Sequence, residues 1–250
     1  MGVVDWGERD GNDSQSRLGL PTQGGLILVS GPSRSGKSRW AEHLADRSGL
    51  PVTYLATGAD RPGDITWQQR LLLHRQRRPI HWTTLEVGGD LEAALERGRS
   101  GEAQSSGVGL GQGEWTSPMP IPERSRPQER ASGPALANGI AIPSPANSSP
   151  LLLIDSLGTW LAHHLALEES AWLQRQERLL TALAQQRSPV VLVCEEVGWG
   201  VVPPTAIGGL FRDRSGSLQQ QLMAQAAAAW LVVQGRALNL MALGEPVPPA

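Results

Sequence analysis

Cysteine is all but missing: Cys194 is alone among 250 residues. One thiol makes no intramolecular disulfide and no cysteine-cluster metal site, and such usage fits a reducing compartment. Long apolar runs are missing too. None reaches the roughly 18 residues that a membrane span needs, and residues 1–24 lack the apolar stretch of a secretion signal. The expectation is a cytoplasmic protein with no membrane span. Neither sign of charge is in excess, since Lys+Arg 22 against Asp+Glu 24 leaves a net charge of -2. No basic cluster is interleaved with stacking aromatics, which argues against a nucleic-acid partner. Lysine occurs once, as Lys37.

The hydrophobic share of 40% is enough for a core, whereas 29 Gly and 19 Pro point to stretches outside it. Two stretches qualify. Residues 1–24 are polar and aperiodic and read as a disordered tail. From about residue 98 to 150 the chain is rich in Gly, Ser and Pro, and reads as a disordered insertion. What remains of residues 25–245 is the length of one compact domain.

Within it, apolar runs alternate with helical patterns. The expected strands are Leu26–Ser30, Val52–Ala56, Leu151–Ile154, Val190–Cys194 and Trp230–Gln234. The expected helices are Lys37–Arg47, Ile65–Arg77, Leu91–Arg97, Ala171–Gln186 and Ser217–Ala229. Strands that are apolar throughout and separated by helices predict a mostly parallel sheet covered on both faces, a three-layer α/β domain. Ligands of such sheets bind beyond the carboxyl ends of the strands.

The first strand runs into Gly31-Pro32-Ser33-Arg34-Ser35-Gly36-Lys37-Ser38, which fits G-x-x-x-x-G-K-[ST] between a strand and an amphipathic helix. That is a P-loop. Its backbone N–H groups wrap a phosphate chain, Lys37 reaches the β- and γ-phosphates of ATP or GTP, and the Ser38 hydroxyl ligates Mg²⁺. The only lysine of the chain falls on the one position that requires it. A P-loop also needs a carboxylate on a neighbouring strand to hold the magnesium through water. Asp155 is the first candidate, Glu195-Glu196 its competitor, and an N-cap for the following helix the structural alternative for Asp155.

Thr57-Gly58-Ala59 follow the second strand, at an end that faces nucleotide in such folds. His74 sits in a basic cluster with Arg75, Gln76, Arg77 and Arg78. Three arginines there suit polyphosphate and favour the neutral, nucleophilic imidazole; a solvated basic helix end is the structural alternative. His163 and His164 read as structural. The loop Glu196-Val197-Gly198-Trp199-Gly200 reads as a substrate-facing loop or as a tight turn.

At these residues the chain resembles the bifunctional adenosylcobinamide kinase and adenosylcobinamide-phosphate guanylyltransferase family. The matching segments are Val29–Glu42, Tyr54–Thr57, the pattern His74-Arg75-x-x-Arg78-Pro79-x-x-Trp82-x-Thr84-x-Glu86, Asp155–Leu161, Glu196–Pro203 and Phe211–Asp213. The resemblance implies a P-loop NTPase domain with a RecA-like core, a corrinoid small-molecule substrate and a homo-oligomer. It also implies two reactions: an NTP phosphorylates adenosylcobinamide, and His74 takes GMP from GTP and passes it to that phosphate. Arg75 and Arg78 would hold the triphosphate or the departing pyrophosphate, and Glu86 matches a nucleotide contact. One activity alone, or a regulatory P-loop protein, are the alternatives.

Overall fold

The computed structural model describes residues 24–58, 63–100, 149–200 and 203–248. The expected tail, except Gly24, and residues 101–148 of the expected insertion lie outside the described residues. Seven strands form one sheet: β1 (Leu26–Gly31), β2 (Val52–Ala56), β3 (Thr83–Glu86), β4 (Leu151–Asp155), β5 (Val190–Glu195), β6 (Ala226–Val233) and β7 (Arg236–Asn239). Among the described residues seven helices accompany them: α1 (Lys37–Arg47), α2 (Ile65–Arg77), α3 (Leu91–Ser100), α4 (Leu157–His163), α5 (Glu169–Ala184), α6 (Ala206–Gln225) and α7 (Leu240–Leu243).

The strand order is β3-β2-β4-β5-β1-β6-β7. All neighbours are parallel except β6 and β7. The fold is thus the α/β arrangement expected, with the P-loop strand β1 inside the sheet between β5 and β6. β5 separates it from β4, so the strand that ends in Asp155 stands one place removed from the P-loop.

Alternating side chains of each central strand feed two cores. Leu26 and Leu28 join Leu192, Ile154 and residues of α3 to α6 on one face, while Ile27 and Val29 join Val191, Val193, Leu153 and α1 on the other. Both faces are dry, which is why β1, β4 and β5 carry no polar alternation. α2 is different. None of its described side chains is buried, so it stands on the rim and carries the His74 cluster outside the core.

The structure adds two strands to those expected and redraws the last long helix. β3 is an edge strand whose four residues are all exposed, and it forms by pairing with β2, for which no apolar run was needed. β7 follows a tight hairpin in which Gln234 and Gly235 have φ of 50° and 75°, a two-residue turn that matches strand twist. The final long helix runs Ala206–Gln225, not Ser217–Ala229. Thr205 caps its start by accepting from the Gly208 N–H at 3.2 Å, and Ala226 to Ala229 pair beside β1 instead of continuing the helix. α3 also continues to Ser100, past the start expected for the insertion. Among the described residues no helix is long and apolar enough to cross a membrane.

Candidate active site

The phosphate loop is shaped by backbone from the far end of the chain. A Cβ on Gly31 would lie 2.3 Å from the Val232 carbonyl oxygen and 2.7 Å from the Ser35 hydroxyl, so only glycine fits where β1 leaves the sheet. Gly36 has φ 101° and Arg34 φ 61°, the left-handed turns that coil the loop before α1. The Gly235 N–H donates to the Ser35 carbonyl at 3.1 Å, seating the β6–β7 hairpin against the loop. Lys37 is buried and donates to the Pro32 carbonyl at 3.4 Å.

Beyond the strand ends lies a cleft of about 190 Å³. Ser33, Lys37 and Ser38 line it from the P-loop side, Tyr54, Ala56 and Gly58 from β2, Asp155 and Ser156 from β4, and Glu195 from β5. From α2 and β3 come His74, Arg75, Arg78 and Glu86. The sequence placed these residues in two separate constellations; the fold gives them one cavity.

Asp155 accepts a hydrogen bond from the Tyr54 hydroxyl at 2.8 Å through Oδ2, and the same oxygen lies 3.7 Å from His74 Nδ1. It is not a helix cap. The N-cap of α4 is Ser156, and Ser156 N–H donates to the Thr159 hydroxyl at 3.2 Å. The competing carboxylates have other partners. Glu195 accepts the Gly158 N–H at 2.7 Å and the Ser156 hydroxyl. A Cβ at position 158 would meet the Glu195 carboxylate at 2.4 Å, so Gly158 makes the room that this buried acid occupies. Burial foremost, then the nearby Asp155 charge, raises the Glu195 pKa above the usual carboxylate value. Burial raises the Glu196 pKa as well.

The three arginines do not converge on His74. Arg77 reaches its Nδ1 at 3.3 Å and also pairs with Glu42 on α1 at 3.0 Å. Arg75 pairs with Glu86 at 3.2 Å where both are more than half exposed. Arg78 lays its guanidinium 3.6 Å from the centre of the Tyr54 ring and donates to the Thr84 hydroxyl at 3.5 Å. The field at His74 is therefore mixed, a cation and a carboxylate together, and not the purely basic one read from the sequence. Gln76 is exposed on α2.

Thr57, expected to face nucleotide, is fully buried. Its hydroxyl donates to the Ser156 carbonyl and accepts from the Ser156 N–H, both at 2.7 Å, so it ties β2 to the residue after Asp155. Gly58 lines the cleft; Ala59 lies outside the described residues. Behind this edge, His163 Nε2 meets the Thr57 carbonyl at 3.1 Å and His164 Nε2 meets the Gly89 carbonyl at 2.9 Å, the structural roles expected of both. Sequence reasoning gave no site role to Tyr54, Ser156 and Thr159. Their signals were position, in or just after parallel strands, and membership of the matching segments Tyr54–Thr57 and Asp155–Leu161.

Ser38 and Asp155 present a hydroxyl and a carboxylate to the same cleft. These donors fit Mg²⁺, which takes one or two protein oxygens and fills its octahedron with water and phosphate.

Comparison with known proteins adds a family. Residues 27–106 and 133–240 match the family described as cobinamide kinase / cobinamide phosphate guanyltransferase. The gap between those segments falls inside the Gly-, Ser- and Pro-rich stretch. A protein of Pseudomonas aeruginosa named bifunctional adenosylcobalamin biosynthesis protein CobP is 30% identical over 221 residues, 88% of this chain and 98% of that one. Proteins named bifunctional adenosylcobalamin biosynthesis protein CobU are similarly related. That of Escherichia coli is 30% identical over 224 residues, and that of Salmonella typhimurium 29% over 221 residues. Each covers 84% of this chain and 96% of the relative.

Proposed function

The chain belongs to the cobinamide kinase / cobinamide phosphate guanyltransferase family, and from that premise we propose that both reactions run in the single cleft between the P-loop, Asp155 and His74. The observation that carries this reading is the shared lining: Lys37, Ser38, Asp155 and His74 all face one cavity.

In the first reaction the P-loop holds ATP or GTP with its phosphates along the backbone N–H groups, and Lys37 neutralises charge on the β- and γ-phosphates. The hydroxyl oxygen of the adenosylcobinamide side chain attacks the γ-phosphorus, the bond to the bridging oxygen breaks, and a nucleoside diphosphate leaves. Ser38 would ligate Mg²⁺ directly and Asp155 through water. When bound there, the ion draws off charge developing on the phosphate oxygens.

In the second reaction an imidazole nitrogen of His74 attacks the α-phosphorus of GTP. Pyrophosphate leaves, and GMP remains on the protein as a phosphoramidate. An oxygen of the corrinoid phosphate then attacks the same phosphorus, the P–N bond breaks, and adenosylcobinamide-GDP forms with the imidazole restored. The covalent step divides one nucleotidyl transfer into two displacements. Arg78, braced by Tyr54, and Arg75, at the mouth, supply positive charge where the triphosphate enters. The exposed Ile65, Leu72 and Leu73 of α2 support a homo-oligomer, which light scattering tests.

GTP labelled at the α-phosphate tests the central claim. The label should stay on the protein in a bond that acid cleaves and alkali spares, and γ-label should not. His74→Asn should lose the α-label and guanylyl transfer while retaining transfer of γ-label to the corrinoid. Persistence of the α-label would move the nucleophile elsewhere, with the exposed His81 next to be tested.

A further inference from the structure

Tyr54 is the only tyrosine of the chain, and it lies in the middle of a buried strand. The residue is 2% exposed, so packing alone would be served by phenylalanine or leucine. The hydroxyl is what sets it apart. It donates to Asp155 Oδ2 at 2.8 Å, the oxygen that faces His74 Nδ1 at 3.7 Å, while the ring face carries the Arg78 guanidinium at 3.6 Å. One side chain thus touches the groups assigned to magnesium, to polyphosphate and, through Asp155, to the nucleophile.

We propose that Tyr54 is a positioning residue for both transfers, fixing the Asp155 carboxylate through its hydroxyl and bracing Arg78 with its ring. The proposal rests on the roles given above to Asp155 and His74. A carboxylate at a strand end rotates over a broad torsional range, and a hydrogen bond from a neutral donor to a charged oxygen restricts it to one orientation. With Oδ2 committed to Tyr54 and turned to His74, Oδ1 is the oxygen left for metal-bound water. The ring at the same time holds the Arg78 guanidinium at the cleft wall by a cation–π contact, its carbon 3.6 Å from the ring centre.

The test uses the full chain carrying Tyr54→Phe, which keeps the ring and removes only the hydroxyl. GDP binding is measured by calorimetry in EDTA and again in Mg²⁺. In EDTA the variant should match the wild type, because the phosphate cradle and Arg78 are untouched. The gain in GDP affinity on adding Mg²⁺ should fall by about tenfold, as should the rate of α-label incorporation at His74, the usual scale for losing a partner that orients a ligand side chain. Tyr54→Leu should in addition weaken GDP binding in EDTA, since Arg78 loses its platform. Equal weakening by Tyr54→Phe with and without Mg²⁺ would reduce Tyr54 to a structural residue and overturn the proposal. So would wild-type behaviour of Tyr54→Phe beside an Asp155→Asn protein that has lost the Mg²⁺ effect. An Asp155→Asn protein that keeps the Mg²⁺ effect would instead remove the reading of Asp155 on which the proposal stands, and the proposal with it.

Discussion

Replacing Gly31 by alanine adds one methyl group where β1 gives way to the P-loop. That carbon would sit 2.3 Å from the Val232 carbonyl oxygen, and Cβ atoms keep at least 3.0 Å from such neighbours. The backbone must therefore yield by the difference, about 0.7 Å, in an interior packed as tightly as an organic crystal. β6 cannot give way cheaply, because it is held by β1 on one side and β7 on the other. Overpacking costs about 1–3 kcal/mol, and an obstacle made of ladder backbone belongs to the upper part of that range, about 2–3 kcal/mol. In a domain of this size each kcal/mol lowers Tm by about 2–4 °C, so the variant should melt about 4–12 °C below the wild type. Moving the loop by that distance also misplaces its N–H groups, and GDP affinity should drop by about tenfold or more. Gly216, in the middle of α6 with nothing within 4 Å of its would-be Cβ, supplies the opposite case: Gly216→Ala should stabilise by about 0.5–1 kcal/mol. Thermal melts followed by circular dichroism and a GDP titration read both. A Gly31→Ala protein that melts within about a degree of the wild type and binds GDP normally would refute the steric argument.

Lys37→Ala should abolish phosphorylation of adenosylcobinamide, because phosphoryl transfer depends on charge neutralisation and positioning; γ-label reaching the corrinoid at near wild-type rate would contradict this. Glu195→Gln should raise the urea midpoint near pH 7. Burial lifts the Glu195 pKa in the folded state above its ordinary 4.5, so its stabilising contribution is full below that value and is lost as pH rises through the folded pKa. Gln keeps an acceptor for the Gly158 N–H. The gain should vanish near about pH 4, and a lowered midpoint at neutral pH would show that the charge itself holds α4. His164 behaves with the opposite sign. Burial, ahead of other causes, lowers its pKa from 6.5, so the folded state prefers the neutral ring. That contribution is present above 6.5 and fades as pH falls toward the folded value. Urea unfolding from about pH 7.5 to about 5.5 should show this decline, and His164→Gln should flatten it; an unchanged slope would assign the decline to other groups.

The sequence made the centre of the sheet legible and its margins obscure, for a physical reason. β1, β4 and β5 are dry on both faces and announce themselves as apolar runs. β3 is made of Thr83, Thr84, Leu85 and Glu86, all exposed, and owes its conformation to β2. Ala226 to Ala229 have the composition of a helix, yet tertiary pairing with β1 makes them strand. At the site, the P-loop residues were legible because phosphate binding demands fixed glycines and a lysine at fixed spacing. Tyr54 was not, since a tyrosine inside an apolar strand has no spacing rule and its meaning depends on the partner that its hydroxyl finds.

The phosphate loop occupies residues 31–38, yet its walls are written much later in the chain. β1 pairs with β5 at residues 190–195 and with β6 at residues 226–233, and Ser35 is held by Gly235. A ribosome releases β1 early and both of its neighbours late. Until then the nascent chain carries an apolar strand with no partners and a glycine-rich loop with nothing to coil against, a segment suited to chaperone capture. Nucleotide affinity should consequently switch on only when β6 and its hairpin have emerged, so that a stalled chain with residues up to 225 outside the ribosome is blind to GTP and one with residues up to 239 outside is not.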